Sequence, residues 1–201
     1  MAYSPWLQPN KTSGNGNDTI TVQAVQQNTG RNARQTTLTF KAADCDDVLR
    51  TILQKGKAET SSIQDTATVI KAGGKVTISG VSNSQRLTFS LGTGDLNIVL
   101  PEKYTVNGMP VDNDTDIAGD PGATAEYDFS IQLTVDANLT LDPMSRQIIV
   151  TDAAGTPHVC TLTIAAGDAY LRVSPETVEL PWDGSTSASF NVESNTNWQI
   201  V

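Results

Sequence analysis

Histidine occurs once in this chain, cysteine twice, and basic residues are outnumbered by acidic ones, 13 against 22. Each shortage closes off a class of function. The one histidine, His158, has no Ser or Cys assigned to it by any motif, and Gly-x-Ser-x-Gly, His-Glu-x-x-His and a phosphate loop are all absent. The expectation is a chain without enzymatic activity and without a cofactor. Cys45 and Cys160 are too few for a disulfide scaffold and are expected as reduced, buried thiols. A formal charge of −9 argues against a nucleic-acid partner, because phosphate binding rests on Lys and Arg. No apolar run approaches the ~20 residues of a membrane-spanning helix. The densest, Leu96 to Leu100, has the length of a strand, so no membrane partner is expected. The opening MAYSPWLQPN lacks a basic n-region and an apolar h-region, which predicts synthesis in a bacterial host cytoplasm without Sec export.

What the chain has in abundance is Thr, Ser, Asn, Asp and Gly, the residues of short strands and turns. Period-2 alternation predicts strands whose inner faces are Ile20, Val22 and Ala24 in one case, and Phe129, Ile131, Leu133 and Val135 in another. SGNGND at 13–18, NTGRN at 28–32, AGG at 72–74 and DGS at 183–185 mark connections. Residues 44–55 carry the one helical hint, but their Val-Leu-Arg-Thr-Ile-Leu core also reads as a strand. The predicted class is all-β.

Two blocks repeat. Residues 34–58 align with 146–169, and residues 69–91 with 178–201. The offset is 112 in both, pairing Arg34 with Arg146 and Asn83 with Asn195. Residues 59–169 therefore hold one unit in natural order, opening block before closing block. The flanks hold a second unit in reverse order, its closing part at 1–58 and its opening part at 170–201. Each unit carries one of the two cysteines.

The second unit resembles a known family. Leu171-Arg172-Val173-Ser174-Pro175, the turn at Gly184, and Ser194-Asn195-Thr196-Asn197-Trp198 resemble the first half of a BACON domain. Pro5-Trp6-Leu7, Thr12-Ser13-Gly14-Asn15-Gly16, Asn28-Thr29-Gly30, Ala33-Arg34 and Leu53-Gln54-Lys55-Gly56 resemble its second half. Such domains are immunoglobulin-like modules of Bacteroidetes proteins and of phages infecting them, including structural proteins of crAss-like phages. The middle unit is only loosely similar: it lacks the Trp-Leu element and inserts residues 100–127. The resemblance implies two immunoglobulin-like β-sandwich units, one at 59–169 and one split between 1–58 and 170–201. Half a sandwich exposes an apolar face and unpaired strand edges. The split unit must then close within one molecule, bringing the termini together, or between copies. Short connections at 58–62 and 167–170 favour closure within one molecule.

Candidate ligand sites are few. Asp112, Asp114 and Asp116 are spaced two apart as in calcium loops, but Ile117 and Ala123 stand where such a loop needs Gly and Glu, which favours a polar exposed loop. Trp6 and Trp198 fall at core-like strand positions, whereas Trp182, beside Pro181 and a Gly turn, is the candidate for stacking on sugar rings. Arg34 and Arg146 are expected to bond backbone carbonyls. The functional expectation is a phage virion protein, an auxiliary capsid, head-fibre or tail-associated component, with other virion proteins or copies of itself as partners. The alternative is a carbohydrate-binding module holding surface glycans.

Overall fold

The computed structural model describes residues 3–201. Its strands in chain order begin with β1 (Leu7–Pro9), β2 (Val22–Ala24), β3 (Arg34–Phe40) and β4 (Val48–Gln54). The middle of the chain gives β5 (Ser61–Ile63), β6 (Thr66–Val69), β7 (Gly74–Ser82), β8 (Leu87–Gly94), β9 (Lys103–Val106), β10 (Met109–Asp112), β11 (Tyr127–Val135), β12 (Met144–Asp152) and β13 (Pro157–Ile164). The last two are β14 (Leu171–Ser174) and β15 (Asn191–Ser194). One 3-10 turn, Pro121–Ala123, precedes β11. The fold is all-β, and β4 is the strand that the ambiguous 44–55 stretch forms.

Residues 61–164 make two facing sheets. One has the order β10-β9-β11-β7-β5 and the other β6-β13-β12-β8, antiparallel except where β6 runs parallel to β13. Alternation explains the packing. Along β11, Phe129, Ile131, Leu133 and Val135 point inward and are buried, while the residues between them are not. Ile148, Val150, Leu162 and Ile164 face them from the second sheet, fully buried. Burying each such side chain contributes about 1.5–3 kcal/mol, which makes this the stable centre of the chain. Phe89 sits between Tyr104 and Phe129, with ring centroids 5.1 Å and 5.9 Å away. Tyr104 and Tyr127, at the ends of the 100–127 insertion, are buried with Ile117 in the same core. The insertion is therefore part of the sandwich wall. A register shift between Arg146 and Ile148 bends β12 against β8. Gly94, at φ 144°, lies there because a Cβ would come within 2.2 Å of the Ser145 carbonyl oxygen.

The terminal segments are two-stranded pieces. β1 pairs β2 and β3 pairs β4 on the N-terminal side, and β14 pairs β15 on the C-terminal side. Among the described residues, no strand pairing joins the two segments, so closure within one molecule is not made. Several inner-face expectations fail for the same reason. Val22 and Ala24 are exposed and Ile20 is half-buried, because no sheet lies opposite them. Trp6 is buried, with the Arg34 guanidinium 5.0 Å from its ring centroid, but Trp198 is half exposed. Cys160 is buried in β13, whereas Cys45 is exposed in the β3–β4 turn beside Asp44, which adopts φ 59°.

Candidate docking surfaces

Two grooves lie in the terminal segments. In the N-terminal segment, Tyr3, Pro9, Ile20, Leu38, Phe40 and Lys41 line a groove of about 510 Å³ between the loop that joins β1 to β2 and strand β3. Its rim includes Lys11, paired with Asp18 at 2.6 Å, a contact that holds the Asp18 carboxyl below the usual range. On β3 and β4, Phe40, Val48, Leu49 and Leu53 are exposed apolar side chains. In the C-terminal segment, Leu171, Val173, Phe190, Val192, Trp198 and Ile200 line a smaller cleft of about 260 Å³. The C-terminal cleft is lined mainly by apolar side chains, whereas the N-terminal groove mixes apolar residues with Thr12, Ser13, Asp18, Thr37 and Thr39.

The attachment of each segment to the sandwich follows one plan. Asn83 accepts a hydrogen bond at Oδ1 from the Thr60 N–H at 2.8 Å and donates from Nδ2 to the carbonyls of Thr29 and Ala58. Asn195 accepts at Oδ1 from the Tyr170 N–H at 3.0 Å and donates from Nδ2 to the carbonyls of Leu139 and Asp168. Ser82 Oγ donates to the Thr60 carbonyl and accepts from the Ser84 N–H; Ser194 Oγ donates to the Tyr170 carbonyl and accepts from the Thr196 N–H. Asn28 donates to the carbonyls of Asn32 and Lys55, as Asn138 does to those of Asp142 and Ala165. Lys57 N–H donates to Gly30, as Gly167 N–H does to Thr140. Even strand register repeats: Ser61 lies opposite Ser82 in β5–β7, and Leu171 opposite Ser194 in β14–β15.

These equivalences correct one part of the sequence repeat. An offset of 112 holds for Asn83 and Asn195, but Arg34 opposite Gln54 in β3–β4 matches Met144 opposite Ile164 in β12–β13, an offset of 110. Arg34 and Arg146 are thus two positions out of structural register. Both nevertheless bond backbone carbonyls: Arg34 those of Gln26 and Gln27, Arg146 those of Leu96 and Gly92. Asn28 stands in the Asn28-Thr29-Gly30 motif that carries the resemblance, and Asn138 is its structural counterpart at an offset of 110. At the N-terminal junction, Arg31 also pairs with Asp120 and donates to the Asn83 carbonyl, and Lys57 pairs with Glu126.

The remaining candidates stay apart. Asp112 pairs with Lys103 at 2.8 Å, Asp114 accepts from Thr88 Oγ1 at 2.7 Å, and Asp116 bridges the backbone of Arg86. Among the described residues, no group of three or more His, Cys, Asp or Glu side chains is placed to hold a metal ion. His158 is half-buried at the start of β13, its ring Nε2 without a partner. Trp182 is 98% exposed in a turn closed by the Gly184 N–H to the Pro181 carbonyl, and it lines neither groove.

Residues 2–55 match the model of the BACON family, described as "Putative binding domain, N-terminal". The resemblance read from Trp6, Asn28 and Arg34 is thus supported in the N-terminal segment, which is similar to that family over these residues. No curated protein matches the chain.

Proposed function

We propose that this chain is a non-enzymatic structural protein of a phage virion, an auxiliary capsid, head-fibre or tail-associated component that docks through its β-sandwich surfaces. The observation that carries the reading is the pair of open apolar faces, one at each end of a sandwich that has closed its own core. Unpaired edges and uncovered apolar strands bind other proteins. A −9 chain keeps such surfaces soluble before assembly. The phage context is supported by the likeness of the terminal motifs to modules carried by phages of Bacteroidetes. Mass spectrometry of purified particles from a phage encoding the chain is expected to recover it in fixed ratio to the capsid protein, with immunogold labelling at one place on the particle. Particles that lack the chain would overturn the virion reading.

One observation favours a second reading, attachment to surface glycans. A fully exposed indole in a turn, such as Trp182, presents a flat apolar face to a sugar ring. A glycan array is expected to give binding that Trp182→Ala abolishes if this reading holds. An array without signal, or binding indifferent to that substitution, would end it.

A further inference from the structure

We infer that the chain assembles head to tail with copies of itself, the C-terminal segment of one copy completing the sandwich begun by the N-terminal segment of the next. This rests on the reading of the terminal faces as docking surfaces and names what docks on them.

The central sandwich supplies the template. Its opening strands β5 and β7 are matched, in register and in side-chain hydrogen bonds, by β14 and β15. Its closing strands β12 and β13 are matched by β3 and β4. In the central sandwich each closing strand has an opening neighbour: β11 pairs with β7, β12 with β8, and β13 with β6. Both β3 and β4 lack that neighbour, and β14 and β15 lack the facing sheet. The C-terminal segment carries the counterparts of β5 and β7 and the N-terminal segment those of β12 and β13, strands that the central sandwich brings together in its two facing sheets.

Placement excludes the alternative within this fold. The N-terminal segment is fastened at Asn83, Asp120 and Glu126, and the C-terminal segment, through Asn195, at the carbonyls of Leu139 and Asp168. Tyr127 and Val135 are the two ends of β11, so these fastenings lie at opposite ends of the sandwich. The grooves therefore face different molecules. Because the second junction repeats the first, each added copy continues the same series of units, an open heterologous assembly.

Charge agrees with the pairing. Residues 1–58 carry seven Lys and Arg against four Asp, formally +3, and residues 170–201 carry one Arg against four Asp and Glu, formally −3. Like ends repel and unlike ends attract, which selects head-to-tail contact over pairing of identical ends.

The test uses the full chain and two variants at exposed groove positions, Phe40→Asp in the N-terminal groove and Val173→Asp in the C-terminal cleft. By light scattering, the wild-type chain is expected as multiples of the single-chain mass that grow with concentration and shrink as salt is added. Each variant alone is expected at single-chain mass. Their equimolar mixture is expected to stop at a dimer, because one good end of each survives. A wild-type chain that keeps the single-chain mass at every concentration would overturn the inference, as would a variant that still self-associates or a mixture that stays monomeric.

Carbodiimide coupling in a mixture of unlabelled and isotope-labelled wild-type chains gives a readout independent of variant folding. Intermolecular links are expected between Lys11 or Lys41 and Glu176, Glu179 or Glu193; links confined to single molecules would count against self-assembly. Failure here with the chain still present in particles removes self-assembly alone. Self-assembly with the chain absent from particles removes the virion reading alone.

Discussion

Asn83 and Asn195 make the same three amide hydrogen bonds at the two junctions, yet Asn83 is fully buried and Asn195 only half so. The identical set should therefore differ in worth. Asn83→Ala removes the fully buried partner of the Thr60 N–H and of the Thr29 and Ala58 carbonyls, at about 1–3 kcal/mol for each of these groups that water does not reach. A total loss of about 3 kcal/mol in urea unfolding is expected. Asn195→Ala lets water reach the freed groups, so a loss under about 1 kcal/mol is expected. Equal losses would show that burial does not set the difference.

Gly30 packs backbone against backbone at the N-terminal junction. A Cβ there would lie 2.3 Å from the Thr124 carbonyl carbon, and backbone cannot swing aside as a flexible side chain can. Gly30→Ala is expected to lift the segment off residues 120–126, weakening Arg31 N–H to Gly122 and Asn32 N–H to Ala123. Overpacking of this kind costs about 1–3 kcal/mol. Proteolysis in the 55–60 connection, which tracks the open population, is expected to accelerate by about tenfold or more while the central sandwich resists. Unchanged cleavage would mean that the junction absorbs the extra methyl.

The central strands were legible because side chains alternate with period two and the matching face is covered. Phe129 to Val135 shows both conditions. The N-terminal ribbon meets only the first: Ile20, Val22 and Ala24 alternate correctly, but alternation names the apolar face and not what lies over it. The two-residue slip between Arg34 and Arg146 was invisible for a related reason. A shift of two residues returns every side chain to the same face, so the hydrophobic pattern is unchanged, and only ladder partners such as Gln54 and Ile164 reveal it. Asn83 and Asn195 were legible as a repeated pair, but not as junction residues, because that role depends on carbonyls as many as 56 positions away.

Thiol reactivity separates the two cysteines. Cys45 is exposed in the β3–β4 turn, while Cys160 is buried and its thiol is pushed up to about 11, by burial first and by the charge of Asp65 second. The thiolate is the reacting form, so both access and ionisation protect Cys160. One thiol per chain is expected to react with a disulfide reagent in the native protein, and the second only on unfolding. Two thiols reacting at one rate would place Cys160 outside a closed core.

Alkali should open the central sandwich through its buried phenols. Burial raises the Tyr104 phenol to about 12 and raises Tyr127 as well, the latter while its hydroxyl donates to the Ser84 carbonyl at 2.7 Å. In the unfolded chain a phenol ionises near about pH 10. The folded-state value is the higher one, so the stabilisation is complete below that pH and drains as pH rises toward the folded value, because the unfolded chain releases protons that the native chain keeps. For Tyr104 alone the loss by about pH 11 is on the order of 1 kcal/mol. Phenolate absorbance from these two residues is expected to rise together with loss of the strand circular dichroism, and Tyr127→Phe is expected to move that transition to higher pH. Complete ionisation of every tyrosine near pH 10 with strand signal intact would show that the two rings are not enclosed.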